Sequence, residues 1–487
     1  MHLEDHGLGR RAALAWAAAA ACLSPAHAVV YVWSDGFYTA QPRPVLIEPG
    51  STLRGLAGSN KLLNTNLTND GTIAWQTSDP LSFFGGGTTL RNNGLFDQQT
   101  NGAINYTNGA QTFDNAGTLR KSGGAGDLTI GVQVNNRTGA VLAADSGRVT
   151  YQGSSIFEAG SIFAGAGAHV FDGRASLYTF QGSFVGNGHL HFMAGRYLAS
   201  APVRPQSDFS FSNGTFQGPW FVEQNTTMRA IAGGADGKTI QGTFTNDGTI
   251  AWQTGDPLTF FGGGTALRNN GLFDQQTNGA INYTNGAQTF DNTGTLRKSG
   301  GAGEFLITVG LLNTGVIESH SGTIVLPSNW TNDGTLRGSA AYRTNRLTNA
   351  GVITPGDSAA PDIAQLALIG DLLQTGAGRL SFEVAAGALA DVLNVSGVVG
   401  FAGVLQVLNT AGYVPVLGDT FRVMNFSAYT GAFVDILELG FGDGIVFEAV
   451  YAPHHLDVRV SAVPEPAVWL MFLAGSAWML RRRCRSA

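Results

Sequence analysis

Apolar residues in this chain come in short alternating runs, without the rhythm of an amphipathic helix, and glycine-bearing turns separate the runs. An Asn-x-Gly turn followed by a Thr or apolar residue places glycines at Gly71, Gly94 and Gly117, in steps of 23. Gly139 adds a step of 22, and from Gly248 through Gly271, Gly294, Gly315 and Gly334 to Gly351 the steps shrink from 23 to 17. Inside one step Gly94, Gly102, Gly109 and Gly117 divide the residues into 8, 7 and 8, leaving short segments at 95–100, 103–107 and 110–115. In the middle segment Ile104 and Tyr106 alternate with Asn105 and Thr107, so a strand there puts Ile104 and Tyr106 on one face.

Three strands per step predict an all-β chain folded as a right-handed parallel β-helix, a solenoid whose coils stack about 4.8 Å apart. Residues 51–351 leave room for roughly 13 coils, a rod on the order of 60 Å long at that spacing. Equivalent residues stack, so Asn69, Asn92 and Asn115 are expected to form an amide ladder at one corner. The competing architecture is an antiparallel β-meander or propeller-like repeat, because Asn101-Gly102 and Asn108-Gly109 are also hairpin signals. The regular corner glycines favour the β-helix.

A long duplication overlies the short period. Thr68 to Gly126 recurs as Thr245 to Gly303, with four differences: Ser78/Gly255, Ser82/Thr259, Thr89/Ala266 and Ala116/Thr293. Added length or repeated binding explains such a copy better than one catalytic site does. After Gly351 the texture changes to longer apolar strands, expected to cap the solenoid. Glycine at 68 of 487 residues supports tight turns, and 13% charged residues with a net charge of -6 give no sign of a nucleic-acid partner.

The two ends carry targeting features. Arg10-Arg11 precede an apolar run at 12–23, and Ala26-His27-Ala28 supplies an A-x-A site, so residues 1–28 read as a signal peptide cleaved after Ala28. With Cys22 removed, Cys484 is the remaining cysteine, and no internal disulfide holds the exported chain. At the other end Val463-Pro464-Glu465-Pro466 is followed by an uncharged, mostly apolar run at 467–480 and by Arg481-Arg482-Arg483. That order resembles a PEP-CTERM sorting signal. The resemblance implies an exosortase-type membrane enzyme as partner, a Gram-negative source, and delivery to the cell surface or an exopolysaccharide matrix. The fourteen-residue run makes a helix of about 21 Å, short of a hydrocarbon core of about 30 Å, which suits a transient membrane anchor. The stretch Gly351-Val352-Ile353-Thr354-Pro355-Gly356-Asp357-Ser358 resembles an element near the end of autotransporter-type β-helices. The expected organisation is therefore signal peptide 1–28, β-helical repeats 29–355, C-terminal β region 356–460 and sorting signal 461–487.

Candidate chemistry is sparse. Walker, nucleophile-elbow, H-E-x-x-H and C-x-x-C patterns are all missing from the sequence. His189 and His191 share a strand face but bring no third metal ligand, and His454-His455 read as surface residues. The loops at 233–237 and 440–444 each place one acid among glycines, which makes Ca²⁺ the one candidate cofactor, although neither loop repeats as a Ca²⁺-binding nonapeptide does. Parallel β-helices host polysaccharide lyases and glycoside hydrolases, whose chemistry needs clustered carboxylates. Asp97 and Asp114, copied as Asp274 and Asp291, are the candidates, with Arg91, Arg120 and Lys121 near in sequence. Trp75, Phe83, Phe84 and Tyr106, copied as Trp252, Phe260, Phe261 and Tyr283, are either sugar-stacking platforms or inward core stacks. The leading expectation is a non-enzymatic surface or matrix protein that associates with extracellular polysaccharide; a polysaccharide-degrading enzyme is the alternative.

Overall fold

Inward apolar side chains at every second strand position, recurring once per coil, can be buried only by stacking the coils. A computed structural model describes residues 28–38, 45–186, 189–234, 237–357, 363–410 and 412–462. Every regular element among them is a strand, and together they build a parallel β-solenoid of about 16 turns. Each coil contributes one strand to each of three faces. Face I begins with Val30–Trp33, Thr52–Gly55 and Thr72–Trp75. Face II carries Leu81–Phe83 under Gly102–Tyr106, and face III carries Leu67–Asn69 under Thr89–Asn92.

The hairpin alternative fails for the repeats because the turn at Asn101-Gly102 leads into a strand that pairs with the coils below and above, not with its predecessor. Among the described residues antiparallel pairing is confined to the Arg379–Ala385/Leu389–Ala390 hairpin, a Gly338–Gly356 bridge and the C-terminal strands. There Val446–Ala452 and His455–Ala462 form a hairpin whose second strand also pairs with Thr420–Asn425. Parallel stacking runs on past Pro355, as Val352 pairs with Arg379 and Arg379 with Val404.

The core is a continuous apolar column. Trp75 stacks over Phe96 at 6.3 Å, and Trp252 over Phe273 at 6.0 Å. Between the two copies, where corner spacing is least regular, the filling becomes predominantly aromatic: Tyr151, Phe171 and Phe192 follow one another at 5.2 and 5.0 Å. The expected amide ladder is present. Asn69 donates to Asn92, Asn92 to Asn115 and Asn115 to Asn136 at 2.7–2.8 Å, and the ladder stops where Phe157 occupies the next rung. The second ladder runs further, from Asn246 through Asn269, Asn292, Asn313, Asn332 and Asn349 to Gln374.

Tyr106 departs from the expected alternation. Ile104 is fully buried, but Tyr106 is 54% exposed. The coil above turns early, with only Gly131 and Val132 between its strands Asp127–Ile130 and Gln133–Asn136, and it leaves about half of the ring exposed.

The copies are out of phase around the rod. Thr72–Trp75 lies on face I. Its counterpart Thr249–Trp252 is reached by parallel pairing from Leu81–Phe83 through Gly102–Tyr106, Asp127–Ile130, Arg148–Tyr151, Ala168–Phe180, His189–Ala199, Phe209–Phe211 and Thr227–Ala230. That column is face II. The spacing between copies is thus a whole number of coils plus one third, and identical sequences look out from different sides.

Candidate functional site

The outward side chains form columns, one residue per coil, so each candidate is judged by its neighbours above and below. Asp97 sits on face I in register with Arg120, yet Arg120 pairs instead with Asp145 at 2.5 Å. Asp97 accepts a 3.0 Å bond from Gln99 on one oxygen, and its other oxygen is buried without a partner. Asp114 is on face III and is held by Arg137 at 2.6 Å, which also reaches Glu158 at 2.9 Å. In the second copy Arg297 grips Asp274 with two 3.0 Å bonds on face II. Burial pushes the Asp274 carboxyl up, but Arg297 and Gln276 hold it below the usual range. Asp291 is half-buried on face I, in register between Arg268 and Leu312.

No two of these four acids share a face within neighbouring turns. Asp97 and Asp114 lie on adjacent faces I and III, and Asp274 and Asp291 on adjacent faces II and I, with Asp114 and Asp274 each held by an arginine. Arg91 lies in register with Asp114. Lys121 and its copy Lys298 are wholly buried and bind the corners that follow them, with Lys121 donating to Gly123 O at 2.6 Å and Lys298 to Gly301 O at 2.7 Å. Burial pulls both ammonium groups below their ordinary range.

The aromatic candidates divide. Trp75 and Trp252 are 1% exposed, and their indole N–H groups donate to Asp79 O and Asp256 O at 2.9 and 3.0 Å. They are core residues, not sugar platforms, because a Trp at an inward position fills the prism. Phe83 and Phe260 are likewise buried. Phe84, Phe261, Tyr106 and Tyr283 are outside, each at 40–54% exposure.

A pair missed in the sequence is Lys61–Asp79, 2.8 Å apart, repeated as Lys238–Asp256 at 2.6 Å. Both lysine side chains are fully buried. The signal was there, since Lys61 and Lys238 hold equivalent places just ahead of the near-identical block, where the surrounding sequence has diverged.

His189 and His191 point outward on face II, and no group of three metal-ligating side chains occurs among the described residues. His191 lies in a groove of about 280 Å³ with Asp172, Arg174, Met193, Ser212 and Asn213. Its Nε2 is 2.9 Å from Ser212 Oγ, and burial lowers its pKa, opposed by Asp172 and aided by Arg148. His454 Nδ1 is 2.8 Å from Ser427 O, and His455 is near Asp457 at 3.6 Å. Ala28 is exposed at the start of the described chain. Ala26, Val463, Pro464, Glu465, Pro466, the 467–480 helix and Arg481, Arg482 and Arg483 lie outside the described residues. No helix long and apolar enough to cross a membrane occurs among the described residues.

No protein-family model matches this chain, and no curated protein matches it either.

Proposed function

We propose that this protein is an exported, non-enzymatic β-helical rod that serves as a stalk or adhesin at the cell surface or in an exopolysaccharide matrix. The exosortase-type system implied by its C-terminal signal delivers it there, and extracellular polysaccharide is its partner. The observation that carries the reading is the dispersal of the acidic candidates. Glycosidic-bond cleavage by the usual route needs two carboxyl groups flanking one bond, whereas Asp97, Asp114 and Asp274 each sit on a different face, two of them clamped by arginine. A rod with repeated outward columns instead suits many weak contacts, whose avidity multiplies along one glycan.

Purified mature protein, incubated with acidic and neutral exopolysaccharides, is expected to sediment with glycan and release no product. Turnover that disappears in Asp97→Ala/Asp274→Ala would overturn the structural reading. Acyl release that disappears in Ser212→Ala would also do so, since His191 Nε2 lies 2.9 Å from Ser212 Oγ, within reach of the hydroxyl proton. Deleting residues 463–487 is expected to stop delivery to the surface; normal delivery of the truncated chain removes the sorting assignment.

A further inference from the structure

Face III carries a groove of about 420 Å³ beside Phe261, spanning four successive coils. Its floor is a ladder with one polarity. Arg196 Nη2 donates to Gln217 Oε1 at 3.0 Å, and Gln217 Nε2 donates to Gln241 Oε1 at 2.8 Å. Each glutamine carbonyl thereby accepts one hydrogen bond, and no acceptor among the described residues meets the Gln241 amide N–H₂. The hydrogen bond of the Arg196 guanidinium goes to an amide and not to a carboxylate, and no acidic side chain lines the groove. Gly218 and Gly242 leave the floor bare, and at Gly218 a Cβ would come 2.4 Å from the carbonyl oxygen of Ala199. At the upper end the Phe261 ring is 45% exposed on a bonded corner: Thr265 Oγ1 donates to Phe261 O at 2.7 Å and accepts from Gly242 N at 3.2 Å.

We propose that this groove binds one strand of an acidic, uronate-bearing polysaccharide laid along the rod axis. The proposal rests on the glycan-associated reading above and names its site. An aromatic face takes the apolar C–H face of a pyranose, the free amide donors take hydroxyl or ring oxygens, and Arg196 takes a carboxylate with charge-assisted hydrogen bonds. Coils repeat at about 4.8 Å, close to the advance of one sugar along an extended chain, so successive sugars meet successive coils.

The molecule contains its own control. The corner Phe84-Gly85-Gly86-Gly87-Thr88 is identical to the one that begins at Phe261, but the floor differs. Phe37 packs edge-on against Phe84 at 5.3 Å, and Asn64 and Thr65 stand where Gln241 and Gly242 stand in the second copy.

Calorimetric titration of the mature protein with tetragalacturonate is expected to give saturable binding, weakened about tenfold or more (about 1.4 kcal/mol or more) by Phe261→Ala and by Arg196→Gln. Phe84→Ala is expected to leave it unchanged, and cellotetraose to bind more weakly and without dependence on Arg196. Equal loss in Phe84→Ala and Phe261→Ala, no loss in Phe261→Ala, or no tetragalacturonate binding overturns the site; equal affinity for cellotetraose overturns the acidic class. In any of those cases, continued sedimentation of the wild-type protein with whole polysaccharide leaves the rod reading standing. Failure to sediment with any polysaccharide removes both.

Discussion

At the Asn-x-Gly corners the space beside each glycine is taken by the backbone of the coil below. A Cβ on Gly94 would lie 2.1 Å from the carbonyl oxygen of Gly71, and one on Gly117 would lie 2.2 Å from that of Gly94. These glycines are required by contact, not by a left-handed backbone, since neither has positive φ. Gly94→Ala is expected to lower unfolding free energy by about 3 kcal/mol, because backbone cannot yield as a side chain does. Gly86→Ala, with open space around the new methyl, is expected to be neutral or stabilising by up to about 1 kcal/mol; denaturant midpoints of the two variants check the contrast.

The Lys61 ammonium beside Asp79 holds that carboxyl below its usual range. A folded pKa below the unfolded one contributes stability that is fully present above about pH 4 and is lost as pH falls through the folded value. The thermal midpoint of Asp79→Asn is therefore expected to lie below wild type at neutral pH and to converge with it as the pH falls below about 4. The amide ladders need their neighbours too. The first carbonyl of each, Asn69 Oδ1 and Asn246 Oδ1, is buried without a donor because Ile47 and Val222 occupy the rung below.

The coil, not the strand, is the structural element of this protein. Thr89–Asn92 and Thr112–Asn115 are stacked equivalents, and what separates them is one circuit of the prism. Removing residues 93–115 joins Asn92 to Ala116 and deletes one whole circuit. That variant is expected to fold and melt cooperatively, with the rod shortened by about 4.8 Å. Removing residues 93–101 instead deletes only the face I strand of the coil and turns every later strand onto the wrong face, so it is expected to aggregate. Scattering length and melting curves of the two deletions check this. The coil was legible because corner glycines and ladder asparagines recur at its period. The exposure of Tyr106 was not, because it depends on how early the coil above turns, a property of residues 131 and 132 rather than of Tyr106's own strand.

For the whole molecule, the consequential feature is the third-turn offset between the copies. It separates Asp97 from Asp274 and Tyr106 from Tyr283 by face as well as by height, and it puts identical corners over different floors. One copy of the Phe-Gly-Gly-Gly-Thr corner meets Phe37, the other a donor ladder. The offset turns the outward columns of the two copies to different sides of the rod.

What this chain's sequence determined by itself was local and periodic. Strand alternation, corner glycines and stacked asparagines follow from packing one coil on the next, and neighbours one period apart carry all the information needed. Tertiary structure alone decided which tryptophans point inward, which acids meet an arginine and which face each copy occupies. These depend on the summed length of every intervening coil, and a few residues gained or lost at distant corners rotate all that follows.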